Sequence, residues 1–155
     1  MEHMEIERKF KPGLLLPDLT SFPYHTIEQG YLCTSPVVRI RREDEEFILT
    51  YKGKGKMMRE EYNLPLSREA YFHLLPKVDG YLVRKKRYRV PLENGLTAEV
   101  DLFEGELSGL VIIEVEFPDP ETARSFSPPS WFGEDVTEDR RYHNSYLSKT
   151  GRVPE

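Results

Sequence analysis

Along most of the chain, polar and apolar positions alternate with the two-residue period of an extended strand. In the opening stretch "MEIERKF", Glu5, Glu7 and Lys9 fall on one face, and Ile6, Arg8 and Phe10 on the other. Comparable patterns at residues 24–33, 37–43, 46–52, 57–64, 80–90, 97–103 and 109–117 bring the predicted strands to eight. Between them lie Ser35-Pro36, Glu43-Asp44-Glu45, Gly53-Lys54-Gly55, Asn94-Gly95 and the run from Gly105 to Gly109. This is turn chemistry, mostly short enough for hairpins, so the sheet is expected to be largely antiparallel.

Helical signals are fewer: near Leu14 to Leu19, from Ser67 through Leu75, after Asp119-Pro120, and from about Thr137. Ser67 and Thr137 read as N-caps. Glu69 follows the first, and Glu138 and Asp139 the second, where carboxylates complement the helix dipole. Trp131-Phe132 and the pair Tyr142/Tyr146 are expected to pack a C-terminal helix against the sheet. Ser127-Pro128-Pro129-Ser130 is too short a linker to separate domains, and residues 4–150 are read as one domain.

One face of strand after strand is charged. Val37, Arg39 and Arg41 alternate with Val38 and Ile40; Arg59, Glu61 and Asn63 with Tyr62 and Leu64; Thr97, Glu99 and Asp101 with Ala98, Val100 and Leu102. An open sheet this wide leaves two exposed edges, and strongly twisted sheets of this size tend to close. Closure around the apolar face gives a filled barrel, and closure around the charged face gives a polar tunnel clad in helices. Periodicity leaves both open. The signs segregate, however: acids pair on a face at Glu5/Glu7, Glu99/Asp101 and Glu114/Glu116, and bases at Arg39/Arg41 and Lys85/Arg87. Like charges side by side repel, so such clusters point to counter-ligands. Paired carboxylates suit a hard divalent cation, Mg2+ or Mn2+, and converging arginines and lysines suit phosphate oxygens.

Composition narrows the classes. The 155 residues carry 27 acidic and 22 basic side chains, a net charge of -5, which argues against binding DNA or RNA through overall basicity. Cys33 is the only cysteine, so no internal disulfide forms. No signal peptide or membrane span is recognisable, and a cytoplasmic protein without membrane contact is expected. Oligomeric state is left open.

These residues resemble the CYTH superfamily, the triphosphate tunnel metalloenzymes, in its short bacterial members. The Glu-x-Glu-x-Lys motif is matched by Glu5-Ile6-Glu7-Arg8-Lys9. Further matches are "RIR" at Arg39–Arg41, Lys52 in "TYKG", Glu61 in "REEY" and "KKRY" with Lys85 and Arg87. "AEVDLFEGEL" follows with Glu99 and Asp101, then "IIEVEF" with Glu114 and Glu116, and "DVTEDRRYHNSYL" at 135–147.

The resemblance implies an α+β, mainly β fold: an eight-stranded antiparallel closed barrel with a charged lumen, helices packed outside, and a C-terminal helix plugging one end. It implies that Glu5, Glu7, Glu61, Glu99, Asp101, Glu114 and Glu116 bind metal. Lys9, Arg39, Arg41, Lys52, Lys85 and Arg87 would grip the triphosphate, and Glu5, Glu7, Lys85 and Glu116 form the catalytic group. Arg59 and Arg89 fall on the tunnel face without an assigned role.

The expected reaction is metal-dependent hydrolysis of inorganic tripolyphosphate to pyrophosphate and orthophosphate, by in-line attack of a metal-oriented water. Alternatives are an adenylyl cyclase or a thiamine or nucleoside triphosphatase of the same fold, or a polyphosphate- or nucleotide-binding module without turnover. Other signals are discounted. Gly53-Lys54-Gly55-Lys56 lacks P-loop spacing, His25, His73 and His143 have no metal-ligand spacing, and Cys33 has no patterned base beside it.

Overall fold

The computed structural model describes residues 3–155. Nine strands form in chain order: β1 (Met4–Pro12), β2 (Tyr24–Thr34), β3 (Val37–Glu43), β4 (Glu46–Lys52), β5 (Met58–Pro65), β6 (Asp79–Pro91), β7 (Thr97–Phe103), β8 (Val111–Glu116) and β9 (Phe132–Asp135). The first eight match the periodic segments to within two residues at each end. Their ladders are all antiparallel and run β5-β4-β3-β2-β6-β7-β8-β1, and β1 pairs back onto β5 through Met4, Glu5 and Ile6 to close a barrel. β9 lies outside this cycle, on β1 at Phe10 and Pro12. With only four residues, one of them glycine, β9 is too short to show an alternation signal.

Three short helices complete the chain: α1 (Arg68–Leu74), α2 (Pro120–Ser125) and α3 (Asn144–Thr150). Ser67 caps α1 as its sequence predicts, its hydroxyl accepting from the Ala70 amide at 3.0 Å. No helix forms over Leu14 to Leu19. Gly13 and Pro17 bracket a stretch too short to nucleate one, and only a 3-10 turn at Leu19–Ser21 follows, capped by Asp18. Thr137 does not cap a helix either. Its hydroxyl accepts from the Lys9 amide at 2.9 Å, satisfying the edge of β1. Asp139 caps a 3-10 turn at Arg140–Tyr142 instead, and α3 begins only at Asn144.

Apolar side chains gather in three clusters. The largest lies outside the barrel, where Ile6, Phe10, Val100, Ile113 and Val115 pack under Ala123 of α2 and under Phe132. Arg8, on this same outer face, donates to the Ala123 and Phe126 carbonyls at 2.9 and 3.3 Å and pins α2 down. Trp131 and Phe132 therefore pack with this outer cluster, not against the C-terminal helix. A second outer cluster joins Ile40 and Phe47 to Tyr71 of α1.

The third cluster lies inside. Val83 shares a face with Lys85 and Arg87, Phe103 with Asp101, and Ile112 with Glu114, yet these three pack with Tyr142 and Leu147. One end of the lumen is thus an ordinary hydrophobic core in which α3 and the turn before it are seated. The plug is held by apolar burial, at about 25 cal/mol per Å² of apolar surface removed from water.

Candidate active site

Barrel closure brings together acids that are far apart in sequence. Glu5 is registered opposite Arg59 across β1 and β5, Glu61 opposite Lys52 across β5 and β4, and Glu116 opposite Glu7 across β8 and β1. One carboxylate oxygen from each of Glu5, Glu61 and Glu116 lies within 4.8 Å of the others. Lys52 Nζ donates to Glu5 at 2.8 Å and approaches Glu61 at 3.4 Å. Burial pushes the Glu5 carboxyl up, but the charge and hydrogen bond of Lys52 outweigh it and hold the group at about 2. Glu116 has no cationic partner among the described residues. Partial burial, and repulsion from Glu5, Glu99, Glu61 and Glu114, push its carboxyl up to about 7.

Beside this cluster, Lys9 Nζ sits 3.1 Å from Glu114 and 3.4 Å from Glu7, all three buried. Burial and the Glu114 charge push Glu7 up to about 8 despite Lys9, whereas Lys9, Arg87 and Lys85 together hold Glu114 well below the usual carboxylate range. Arg87 forks onto both oxygens of Asp101 at 2.8 and 2.9 Å and also reaches Glu114 at 2.9 Å. This is the bidentate geometry that favours arginine over lysine.

The opposite wall is basic and poor in counter-charge. Arg41 Nε donates to Gln29 Oε1 at 2.9 Å and lies 3.6 Å from Glu43. Burial, together with Arg39 and Arg87, lowers its guanidinium to about 10. Arg39 donates only to the Thr50 hydroxyl, at 3.2 Å, and its Nε is the one buried side-chain nitrogen or oxygen without a partner among the described residues. Arg59 is on β5 beside Glu5, not on that wall, and bonds only a backbone carbonyl, that of Gly53, at 3.2 Å. Acids and arginines line one cavity of about 250 Å³, whose inner end is formed by His143, Asn144 and Ser145. An unpaired buried guanidinium is costly in the free protein, so this wall is built for an anion.

A family model for the CYTH domain matches residues 3–152. The chain belongs to the CYTH family. This CYTH domain is 41% identical over 149 residues to an inorganic triphosphatase of Nitrosomonas europaea, covering 93% of the chain and 96% of that relative. It is 39% identical over 126 residues to an inorganic triphosphatase of Acetivibrio thermocellus, covering 78% of each. The solved structure of the inorganic triphosphatase NE1496 superposes with a TM-score of 0.68 at 37% identity, over 97% of both chains.

Within the CYTH domain the residues expected at the site separate by depth. Glu5, Glu7, Lys9, Arg39, Arg41, Lys52, Glu61, Arg87, Glu99, Glu114 and Glu116 all line the cavity. Lys85 and Asp101 do not: their side chains are wholly enclosed, 2.8 Å apart, with Lys85 Nζ also donating to Asn144 Oδ1 at 3.0 Å. Burial lowers Lys85 to about 7, although Asp101 opposes the shift. Arg59, left without a role by its sequence, lines the cavity, while Arg89 is half-exposed and paired with Glu99 at 2.8 Å.

His143 is discounted as a metal ligand by its spacing. It is buried at the cavity wall, its Nε2 2.9 Å from the Thr137 carbonyl, and burial and Lys9 lower it to about 4, so the ring is neutral and donates through Nε2. Tyr31, Asn144 and Ser145 also line the site. The last two fall in the 135–147 stretch and in the C-terminal plug that the resemblance implies, but alternation along the chain singles out none of the three as a site residue.

The donor set fits a hard divalent cation. Glu5, Glu61 and Glu116 offer converging carboxylate oxygens, and the repulsion that raises Glu116 is what a bound cation relieves.

Proposed function

We propose that this protein hydrolyses inorganic tripolyphosphate to pyrophosphate and orthophosphate. The observation that carries the reading is the pairing, within one cavity of about 250 Å³, of a three-carboxylate cluster with an arginine wall lacking close carboxylate partners. Pockets for drug-sized ligands run from about 300 to 1,000 Å³, so this cavity suits a small, dense polyanion better than a nucleotide. The names of the two curated relatives support the same substrate.

Glu5, Glu61 and Glu116 would hold Mg2+ or Mn2+, which would neutralise charge at phosphate oxygens and acidify a water when bound. The chain's own groups do the rest. Arg39, Arg41 and Arg59 donate to phosphate oxygens where they lack tight carboxylate pairing, so binding replaces unsatisfied donors with charge-assisted hydrogen bonds. Lys9, Lys52 and Arg87 are held at fixed points by their carboxylates and present preorganised positive charge to the equatorial oxygens in the transition state.

In the reaction, the water oxygen bonds to a terminal phosphorus as the bridging P–O bond breaks, and pyrophosphate leaves with the bridging oxygen. Glu7, Glu99 and Glu114 act by orienting Lys9 and Arg87, and Asp101 by holding Arg87 and Lys85. Lys85, which does not reach the cavity, serves the plug. We place the protein in the cytoplasm, where its lone thiol Cys33 stays reduced.

The test is phosphate release from tripolyphosphate, pyrophosphate, ATP and thiamine triphosphate with Mg2+ or Mn2+, with cyclic AMP measured separately. Tripolyphosphate is expected to give the highest kcat/KM. Faster turnover of an organic triphosphate, or release unaffected by chelation, overturns the reading.

A further inference from the structure

Asn144 stands on the plug at the inner end of the cavity and is only 9% exposed. Its carboxamide is bonded on one side. Oδ1 accepts at 3.0 Å from Lys85 Nζ, which Asp101 holds at 2.8 Å, and this donor fixes which end of the amide is oxygen. Nδ2 is thereby turned away from Lys85. It makes no hydrogen bond among the described residues, although it belongs to a buried side chain that lines the cavity.

The placement is rigid. On one side the His143 ring is tied to the Thr137 carbonyl at 2.9 Å, and on the other Leu147 is wholly buried in the inner apolar cluster. The anion wall is close by: besides burial, the charges of Arg87 and Arg41 lower Lys85, so the amide that Lys85 holds borders two guanidiniums. A residue needed only to hold a buried lysine would do so better as a carboxylate, whose charge-assisted hydrogen bonds are about twice as strong. The amide gives up that strength and gains an NH2 donor on the cavity side.

We propose that Asn144 is a substrate-contact residue, its Nδ2 donating to the phosphoryl oxygens at the end of the polyphosphate chain that reaches deepest, against the plug. This rests on the triphosphate reading of the cavity. Because the plug closes the lumen beyond Asn144, the contact fixes how far the chain inserts, and so which phosphorus is presented to the carboxylate cluster. The Asp101–Lys85 pair then has a task at the site without reaching it: it aims the amide.

The full-length protein is titrated calorimetrically with tripolyphosphate in chelator, so that binding is read without turnover, and its ligand-free Tm is measured alongside. Asn144→Asp keeps an oxygen for Lys85 but puts a carboxylate where the donor stood. It is expected to hold or raise the ligand-free Tm while weakening tripolyphosphate binding about 100-fold or more, by like-charge repulsion. Asn144→Ala, which removes donor and acceptor together, should weaken binding about 10-fold or more. Were Asn144 only an anchor for the plug, Asn144→Asp would bind as the wild type does, and that result overturns the proposal. So does a loss of binding that is matched in both variants by a fall in ligand-free Tm. Weakened binding by the variants of a wild type that binds but does not hydrolyse tripolyphosphate supports the contact and refutes only the reaction; a wild type that does not bind it overturns both.

Discussion

Lys85 Nζ and Asp101 Oδ2 lie 2.8 Å apart, with neither side chain exposed to solvent. Asp101 also takes both prongs of Arg87, so it is one carboxylate compensating two buried cations. Asp101→Asn keeps the shape and removes the charge. It is expected to destabilise the fold by about 3 kcal/mol or more, and by more than Lys85→Met, which leaves the Asp101–Arg87 pair intact. Urea unfolding of the two variants checks the order; equal losses would refute it.

Replacing members of the acid cluster and the arginine wall should separate turnover from folding. Glu5→Gln, Glu116→Gln and Arg41→Ala are each expected to lower kcat/KM for tripolyphosphate by about 100-fold or more, the scale for losing one preorganised transition-state contact. Wild-type turnover by all three, measured as orthophosphate release, would sink the proposed site.

Arg39 makes the opposite point about stability. It is buried with a single hydroxyl partner and an unbonded Nε, so the ligand-free fold bears a desolvated charge. Arg39→Met is expected to leave Tm unchanged or raise it, and the rise in Tm that tripolyphosphate is expected to give the wild type should be reduced in the variant. A clear loss of stability in the ligand-free variant would contradict this.

Two carboxyls set a pH window for the metal-free protein. Glu7 is raised to about 8 and Glu116 to about 7, against an ordinary value of 4.5. Between pH 4.5 and 8 the folded state therefore binds more protons at these sites than the unfolded state. Their contribution to stability is fully present below pH 4.5 and is lost as pH rises through 7 to 8. Thermal melts in chelator should show this decline, and Mg2+ should flatten it by favouring the ionised acids. A metal-free Tm that does not fall over that window in the wild type, relative to Glu7→Gln/Glu116→Gln, counts against the assignment.

The strands were legible because alternation is local: a residue's face follows from its neighbours two positions away, and the eight barrel strands match. The missed elements depend on distant partners. Thr137 looks like an N-cap by itself, yet its hydroxyl is drawn to the Lys9 amide on the edge of β1. β9 exists only because that edge runs on beyond β5.

The sequence by itself determined which side chains share a face and that acids and bases are grouped by sign. Depth along the tunnel was decided only by tertiary structure. Glu99 and Asp101 are two residues apart on one face, yet Glu99 lines the cavity while Asp101 is sealed beneath the plug. A period of two specifies inward or outward and nothing about distance from the opening. That distance is set by the stagger of the ladders on closure and by where α3 settles on Val83, Phe103 and Ile112.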